Sequence, residues 1–201
     1  MFLPCLILII GAPLVASDLP ATYQPLSYNE RLEPRSLDDI SLVVVHATEL
    51  PDLETARDYG ERIHYSGSVT GNSGHFYIDR DGRIEQWIDL NRVAHHVAGH
   101  NRHSIGIELV NRGRFPHWLD SRHQRWQESV TDAQINALVR LLDQLENQLP
   151  SLRQIAGHDH LDQRRVEASD DPGIKVRRKV DPGPDFPWPE ILKRSGLERL
   201  D

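Results

Sequence analysis

The hydrophobic and polar positions along the chain follow two periods, which predict a mixture of strands and helices. A continuous run rich in β-branched residues from Ile40 to Thr48 predicts a strand that is buried on both faces. Residues 131–149 carry apolar side chains at helical spacing, and Thr131 with Gln134 forms a capping box. This segment is the clearest helix of the sequence, and we assign it to core packing rather than to a cofactor site.

Shorter patterns predict the remaining elements. Two alternating runs, 75–79 and 83–88, flank an Asp-Gly pair and predict a β-hairpin. We expect further strands over 104–111 and 153–157, a helix from Asp52 to Tyr65, and a last helix from Pro189 to Leu200.

The strand predicted over 104–111 contains a carboxylate that its pattern does not explain. Alternation places Ile105, Ile107 and Leu109 on one face, and Glu108 on the other face with Gly106. A carboxylate inside an apolar strand is costly unless it is paired or used in chemistry. A salt-bridged surface residue is the alternative for Glu108.

Length and charge limit the possible partners. The 201 residues are enough for one domain with a sizeable core. Lys and Arg number 23 against 30 Asp and Glu, which gives a net charge of −7. Nucleic-acid binding requires clustered basic residues, so this balance argues against a nucleic-acid partner.

The first residues predict export. Residues 1–17 are uncharged and apolar and end in Val15-Ala16-Ser17, small residues of the kind that a signal peptidase reads. The segment is shorter than the roughly 20 residues of a membrane span, so we predict a signal peptide and no transmembrane span in the mature chain. A buried strand and a lipoprotein anchor are the alternatives. We therefore expect a periplasmic or cell-wall location, and we interpret residues 18–39 as an extended N-terminal arm.

The predicted signal peptide also decides whether cysteine chemistry is available. Cys5 is the only cysteine and lies within residues 1–17. Cleavage would leave neither a disulfide nor a thiolate nucleophile, so any catalysis must use His, Asp, Glu, Lys or a metal.

Three residues form a candidate zinc site. His46 ends the apolar run 42–45, His158 follows Gly157, and Asp181 stands in the stretch Lys179-Val-Asp181-Pro-Gly-Pro. Histidine and aspartate are zinc ligands, and residues two apart in an extended stretch point the same way, so Lys179 would face the same site as Asp181. His160 is a competing ligand, and the zinc-peptidase motif HExxH is absent from the sequence.

Six ordered motifs make the chain resemble the zinc-dependent N-acetylmuramoyl-L-alanine amidase family, which includes peptidoglycan recognition proteins. The motifs are the strand ending at His46, the hairpin starting Gly74-His75-Phe-Tyr, Ala94-His-His96, Ser104-Ile-Gly-Ile-Glu108-Leu, Gly157-His158, and Lys179-Val-Asp181-Pro-Gly-Pro. The resemblance implies an α/β fold with a mixed central β-sheet flanked by α-helices, and a zinc ion in a groove at the sheet edge. It implies that residues 40–201 are the amidase catalytic domain.

The resemblance also implies the chemistry. It implies that Zn2+ is held by His46, His158 and Asp181, and that Glu108 and Lys179 are catalytic. His96 matches a position near the groove that would hydrogen-bond substrate. The implied reaction is hydrolysis of the amide between the lactyl group of N-acetylmuramic acid and L-alanine, in peptidoglycan or muropeptides. A binding module that does not cut, and a zinc peptidase acting on another stem amide, are the alternatives, and a monomer is the default expectation.

One departure from the family pattern concerns the third ligand. Here 22 residues, 159–180, separate His158 from Asp181, and they include a second Asp-Pro-Gly at Asp171. Lys179 and the following Pro184 keep the family register at Asp181, so we predict Asp181 rather than Asp171 as the ligand. The arginines of this insertion would line the groove and meet acidic groups of a peptide stem, or form a solvated charged loop: Arg164, Arg165, Arg177 and Arg178.

Overall fold

The computed structural model describes residues 19–200, which form a seven-stranded mixed sheet, a separate two-stranded sheet and four α-helices. The signal peptide predicted over residues 1–17 lies outside the described residues. The strands are β1 (Thr22–Tyr23), β2 (Leu42–Ala47), β3 (Phe76–Ile78), β4 (Ile84–Gln86), β5 (Ser104–Leu109), β6 (Gln154–Gly157), β7 (Arg165–Glu167), β8 (Lys175–Arg177) and β9 (Glu198–Arg199). The helices are α1 (Leu53–Glu61), α2 (Asp132–Gln148), α3 (His158–Leu161) and α4 (Trp188–Arg194). None of these helices has the length and apolarity that crossing a membrane would require.

The large sheet confirms the predicted α/β class. Its strand order is β1-β4-β3-β5-β2-β6-β9, and only the β3–β4 pair is antiparallel. The antiparallel pair is the predicted hairpin, whose turn contains Gly82 at a φ of 85°. The central strands β5, β2 and β6 run parallel, so their carboxyl ends meet at the same edge of the sheet.

The two faces of the sheet are covered by different elements. Val43 and Val45 of β2 lie in the main core together with the apolar stripe of α2, whose capping box is formed as predicted. Leu42 and Val44 point to the opposite face and pack with Val97. The period of two along β2 therefore places His46 on the face away from α2.

Two predicted helices are shorter than their sequence patterns suggested. α1 ends at Glu61 rather than at Tyr65, because Arg62 already has extended backbone angles. α4 ends at Arg194, and the prediction of helix up to Leu200 is wrong for its last residues. Residues 198–199 form β9 instead, which pairs with the otherwise open edge of β6. Pairing of that edge outweighs the local helical pattern, a tertiary effect that periodicity does not contain.

The arm and the insertion both pack on the domain. From residue 19 the arm follows the sheet edge, where β1 pairs with β4 and Tyr23 donates a 2.7 Å hydrogen bond to Asp89. Inside the insertion, β7 and β8 form an antiparallel hairpin. This hairpin is tied to the 112–128 loop, because Ser121 donates two hydrogen bonds to the carboxylate of Asp170.

Candidate active site

The predicted site residues collect at the carboxyl ends of the central parallel strands. His46 of β2 pairs in register with Glu108 of β5, and Glu108 pairs in turn with Tyr77 of β3. On the other side of β2, Val45 pairs with Gly157, so that His158 follows directly at the end of β6. Ligand sites of open α/β sheets lie at this end of the strands.

Three side chains converge there closely enough to hold one metal ion. Nδ1 of His46 lies 2.9 Å from Nδ1 of His158 and 3.2 Å from Oδ2 of Asp181, and the His158–Asp181 distance is 3.1 Å. Ligands of a tetrahedral zinc at about 2.0–2.2 Å are separated by about 3.3 Å, so the spacing fits such an ion. All three residues are buried.

The charges of the cluster also suit a cation. Burial and the neighbouring His158 lower the pKa of His46 to about 4, so its imidazole is neutral and its lone pair is available at neutral pH. Burial acts to raise the pKa of Asp181, but His158 and Lys179 hold it well below its usual range. Oδ1 of Asp181 is buried without a hydrogen-bond partner in the described chain. A buried carboxylate with a free oxygen between two imidazoles is a donor set that zinc fits.

His96 lines the groove and also contacts the edge of the His46 imidazole that faces away from His158 and Asp181. Its Nδ1 is 3.0 Å from Nε2 of His46, and its Nε2 is 3.2 Å from the hydroxyl of Ser104. The Ser104 hydroxyl in turn donates to the carbonyl of His100 at 2.8 Å. Both ring nitrogens of His96 are thus occupied within the protein, so the arrangement favours positioning of His46 over the predicted hydrogen bond to substrate.

Two glycines make room for this arrangement. A Cβ atom on Gly106 of β5 would lie 2.6 Å from Cγ of His96, so only glycine allows the imidazole to rest on the strand. A Cβ on Gly74 would lie 2.9 Å from Cγ of Glu108 and 3.0 Å from the carbonyl of Gly106. The glycines of the motifs Gly74-His75 and Ser104-Ile-Gly106 are therefore needed at this site, because a larger side chain would collide with Glu108 or His96.

Glu108 is beside the cluster and largely withdrawn from water. Its Oε1 is 3.9 Å from Nδ1 of His46, and its side chain is 14% exposed. Burial and the nearby Asp181 carboxylate raise the pKa of Glu108 to about 8, while Lys179 acts in the opposite direction. The structure contains no salt bridge between Glu108 and a Lys or Arg among residues 19–200. Glu108 is therefore not the salt-bridged surface residue that was the alternative prediction.

A groove of about 370 Å³ passes over the cluster. Lys179 and Arg178 lie on its wall together with Glu108, and the same two cations also line a neighbouring lobe beside Trp118. Further residues of the groove wall come from α1 and the loops around it: Tyr59, Tyr65, Asn72, Ser73 and His95. The groove is open to solvent and positively charged on the side of Lys179.

The residues that competed with Asp181 and His158 for the role of metal ligand lie outside the cluster. Asp171 is exposed, and its carboxylate accepts a hydrogen bond from the backbone N–H of Gly173. His160 is not among the residues of the metal cluster. Of the four arginines of the insertion, Arg178 lines the groove, and both Arg178 and Arg164 are paired with the carboxylate of Asp162.

Sequence patterns gave no sign of two contacts around this site. One is the buried ion pair between Glu49 and Arg114, at 2.8 Å. The other is the hydrogen bond from His96 to Ser104. Each joins residues whose partner is set by tertiary packing, and single positions in loops carry no periodic signal.

Comparison with known proteins identifies the family. Residues 36–184 match the family Amidase_2, described as N-acetylmuramoyl-L-alanine amidase. The 1,6-anhydro-N-acetylmuramyl-L-alanine amidase AmpD of Haemophilus influenzae is 27% identical over 185 residues, which cover 82% of this chain and 86% of that protein.

Solved structures share the fold. The endolysin amidase LysCS of Clostridium intestinale superposes with a TM-score of 0.61 at 23% identity, over 90% of this chain and 99% of that one. The amidase AmiD of Escherichia coli, solved with the substrate anhydro-N-acetylmuramic acid-L-Ala-D-gamma-Glu-L-Lys, has a TM-score of 0.58 at 23% identity and is matched over 79% of this chain and 58% of its own. With the family match covering most of its length, the chain belongs to the N-acetylmuramoyl-L-alanine amidase family of enzymes.

Proposed function

We propose that this protein is a zinc-dependent amidase that hydrolyses the bond between the lactyl group of N-acetylmuramic acid and L-alanine in peptidoglycan or its fragments. The observation that supports this most directly is the meeting of His46, His158 and Asp181 within 3.2 Å of one another beside Glu108. The names of AmpD and AmiD, and the substrate in the AmiD structure, support the substrate class.

In this proposal the metal is held by Nδ1 of His46, Nδ1 of His158 and Oδ2 of Asp181. Zinc held by three protein ligands supplies a Lewis acid that acidifies water and polarises a carbonyl. The remaining chemistry belongs to residues of the groove wall.

Glu108 is the proposed proton carrier. An ionised carboxylate in this position can take a proton from the attacking water and release it to the leaving nitrogen. Its position in the groove wall, with Oε1 3.9 Å from Nδ1 of His46, supports this role.

Lys179 is the proposed stabiliser of negative charge. Attack on the amide carbonyl places a negative charge on its oxygen, and an ammonium on the groove wall stabilises that charge more than it stabilises the neutral ground state. Lys179 lines the groove together with Asp181, which supports this role.

A binding module that holds peptidoglycan without cutting it is the second candidate. Such a module has no need for the proton carrier or for the charge stabiliser, and this chain has both residues in the groove beside the three ligands. The observations therefore favour the enzyme.

The deciding experiment is mass spectrometry of the products from purified sacculi and from a 1,6-anhydro-muropeptide, each with the zinc-loaded protein. Release of a free stem that begins with L-alanine confirms the proposed bond. Release of a shorter peptide identifies a stem peptidase, and binding without products identifies the recognition module. Glu108→Gln is the matched control for contaminating hydrolases, because it keeps the shape of the groove.

We further propose export to the periplasm or cell wall, based on the apolar residues 1–17. Fractionation of the producing cell with mass measurement of the mature protein tests this. Recovery of the intact chain in the cytoplasm contradicts it.

A further inference from the structure

Arg114 is almost fully buried and is held by one carboxylate. Its Nε and Nη2 each donate a 2.8 Å hydrogen bond to the two oxygens of Glu49, and its backbone N–H donates to the same carboxylate at 3.0 Å. The guanidinium is 1% exposed and the Glu49 side chain 7%. Bidentate pairing of this kind fixes the orientation of the guanidinium plane.

The rest of the guanidinium points at the backbone of the insertion. Nη1 donates to the carbonyl of Arg177 at 3.0 Å, and Nη2 donates to the carbonyl of Arg178 at 3.3 Å. A further bond from Nη1 to Gln124, at 3.1 Å, uses the last of the five N–H donors of an arginine. Arg114 thus joins the 112–128 loop to the two residues that directly precede Lys179.

Lys179 depends on its backbone for its position. No ion pair among residues 19–200 includes its ammonium, and its side chain stands on the groove wall between the two lobes. The carbonyls of Arg177 and Arg178 define the course of the chain as it enters Lys179. A rigid guanidinium that binds both of them therefore limits where the ammonium can lie.

The backbone on both sides of the ion pair is held in uncommon conformations. Glu49 has a φ of 50° and is the only non-glycine residue with positive φ in the described chain, and Gly113 has a φ of 49°. A Cβ on Gly113 would lie 2.6 Å from Cγ of Glu49, so the glycine is needed for the approach. Conformations of this kind persist only where the surrounding contacts impose them, and they concentrate at functional sites.

We propose that Arg114 is a positioning residue for Lys179. Through the Arg177 and Arg178 carbonyls, it holds the ammonium where negative charge develops during amide hydrolysis. This inference rests on the function proposed above for Lys179. It also assigns a role to the insertion, which carries those carbonyls to the groove.

The test is a double-mutant cycle between Arg114 and Lys179, measured as muropeptide turnover with zinc content. Arg114→Lys keeps the charge but cannot bind both carbonyls, so we expect kcat to fall about tenfold, less than the roughly 10²–10³-fold expected for Lys179→Ala. KM and zinc stoichiometry should stay at wild-type values. In the Lys179→Ala background, Arg114→Lys should cause no further loss, because the residue that it positions is gone.

Asp170→Asn is the matched control. It weakens a different anchor of the insertion, at Ser121, and leaves the Arg177 and Arg178 carbonyls bound, so its kcat should remain within about twofold of wild type. If Arg114→Lys does not fold, Glu49→Gln enters the same cycle, since it keeps the shape of the carboxylate and removes its charge.

The outcomes separate the two proposals. Equal losses from Arg114→Lys with and without Lys179, or a parallel loss of zinc, overturn the positioning role. Unchanged turnover in Lys179→Ala alone overturns the function proposed for Lys179 instead. A loss of kcat that disappears in the Lys179→Ala background supports both.

Discussion

Nε2 of His46 lies 3.0 Å from Nδ1 of His96, on the opposite side of the imidazole from His158 and Asp181. A metal at Nδ1 of His46 requires a lone pair there, so the proton of the neutral ring must be on Nε2. His46 then donates to His96, His96 donates from Nε2 to Ser104, and Ser104 donates to the carbonyl of His100. The chain of donors has one consistent direction, which fixes the tautomer of His46 that zinc needs.

This direction predicts that His96 contributes to zinc affinity. His96→Leu removes the acceptor for Nε2 of His46, and loss of such a partner typically weakens metal binding about 10–100-fold. His96→Asn places an amide oxygen close to the position of Nδ1, so it should restore much of the affinity. Competition with a chromogenic chelator measures both variants. Equal affinity in His96→Leu and wild type would return His96 to the role of a substrate contact.

Each of the three proposed ligands should be necessary for zinc binding. His46→Ala, His158→Ala or Asp181→Ala should each abolish stoichiometric zinc, because two remaining protein ligands hold the ion too weakly. Atomic absorption of the dialysed variants checks this. Asp171→Ala is the control and should keep one zinc per chain, since its carboxylate binds its own turn. The reverse result for the two aspartates would place the ligand in the other Asp-Pro-Gly sequence.

Much of the fold was predictable from the sequence because periodicity reports burial. The strand ending at His46 and the capped helix α2 both follow directly from the pattern of apolar residues. The residues of the cluster were also predictable, because His46 ends an apolar run and the resemblance to the amidase motifs implied His158 and Asp181 as its partners. The structure brings these three residues together, and their roles stay proposals.

The remaining features depend on contacts between distant segments. β9 forms because the edge of β6 is available, and the hairpin of the insertion packs on the 112–128 loop. Glu49 and Arg114 are 65 positions apart and lie in loops, where neither period applies. Such pairs are set by the packed structure, so one sequence contains no local sign of them.

Glu108→Gln separates binding from chemistry. The amide keeps the shape of the side chain but cannot accept a proton, so kcat should fall by the roughly 10²–10⁴-fold typical of a lost general acid–base group. Zinc content and KM should change little, because neither depends on proton transfer. Chromatography of muropeptide products beside atomic absorption measures these quantities. Near-wild-type turnover in the zinc-loaded variant would assign the proton transfer to another group of the groove.

Gly106→Ala tests the link between strand β5 and the metal site without touching a ligand. The new Cβ would lie 2.6 Å from Cγ of His96, so the imidazole must move away from the strand and lengthen its bond to His46. Extra volume in a packed site costs about 1–3 kcal/mol of folding free energy. We expect a lower melting temperature together with a roughly 10–100-fold loss of zinc affinity, as for a lost outer partner of a metal ligand.

Gly173→Ala is the matched control for this change, because Gly173 is exposed and its Cβ would meet only an oxygen of Asp171, at 3.1 Å. Its melting temperature and zinc affinity should stay close to wild type. The combination of Gly106→Ala with His96→Leu then decides the cause. If the two changes act through the same contact, the double variant should bind zinc no more weakly than His96→Leu alone. Additive losses would show that Gly106→Ala disturbs the site by a route that does not involve His96.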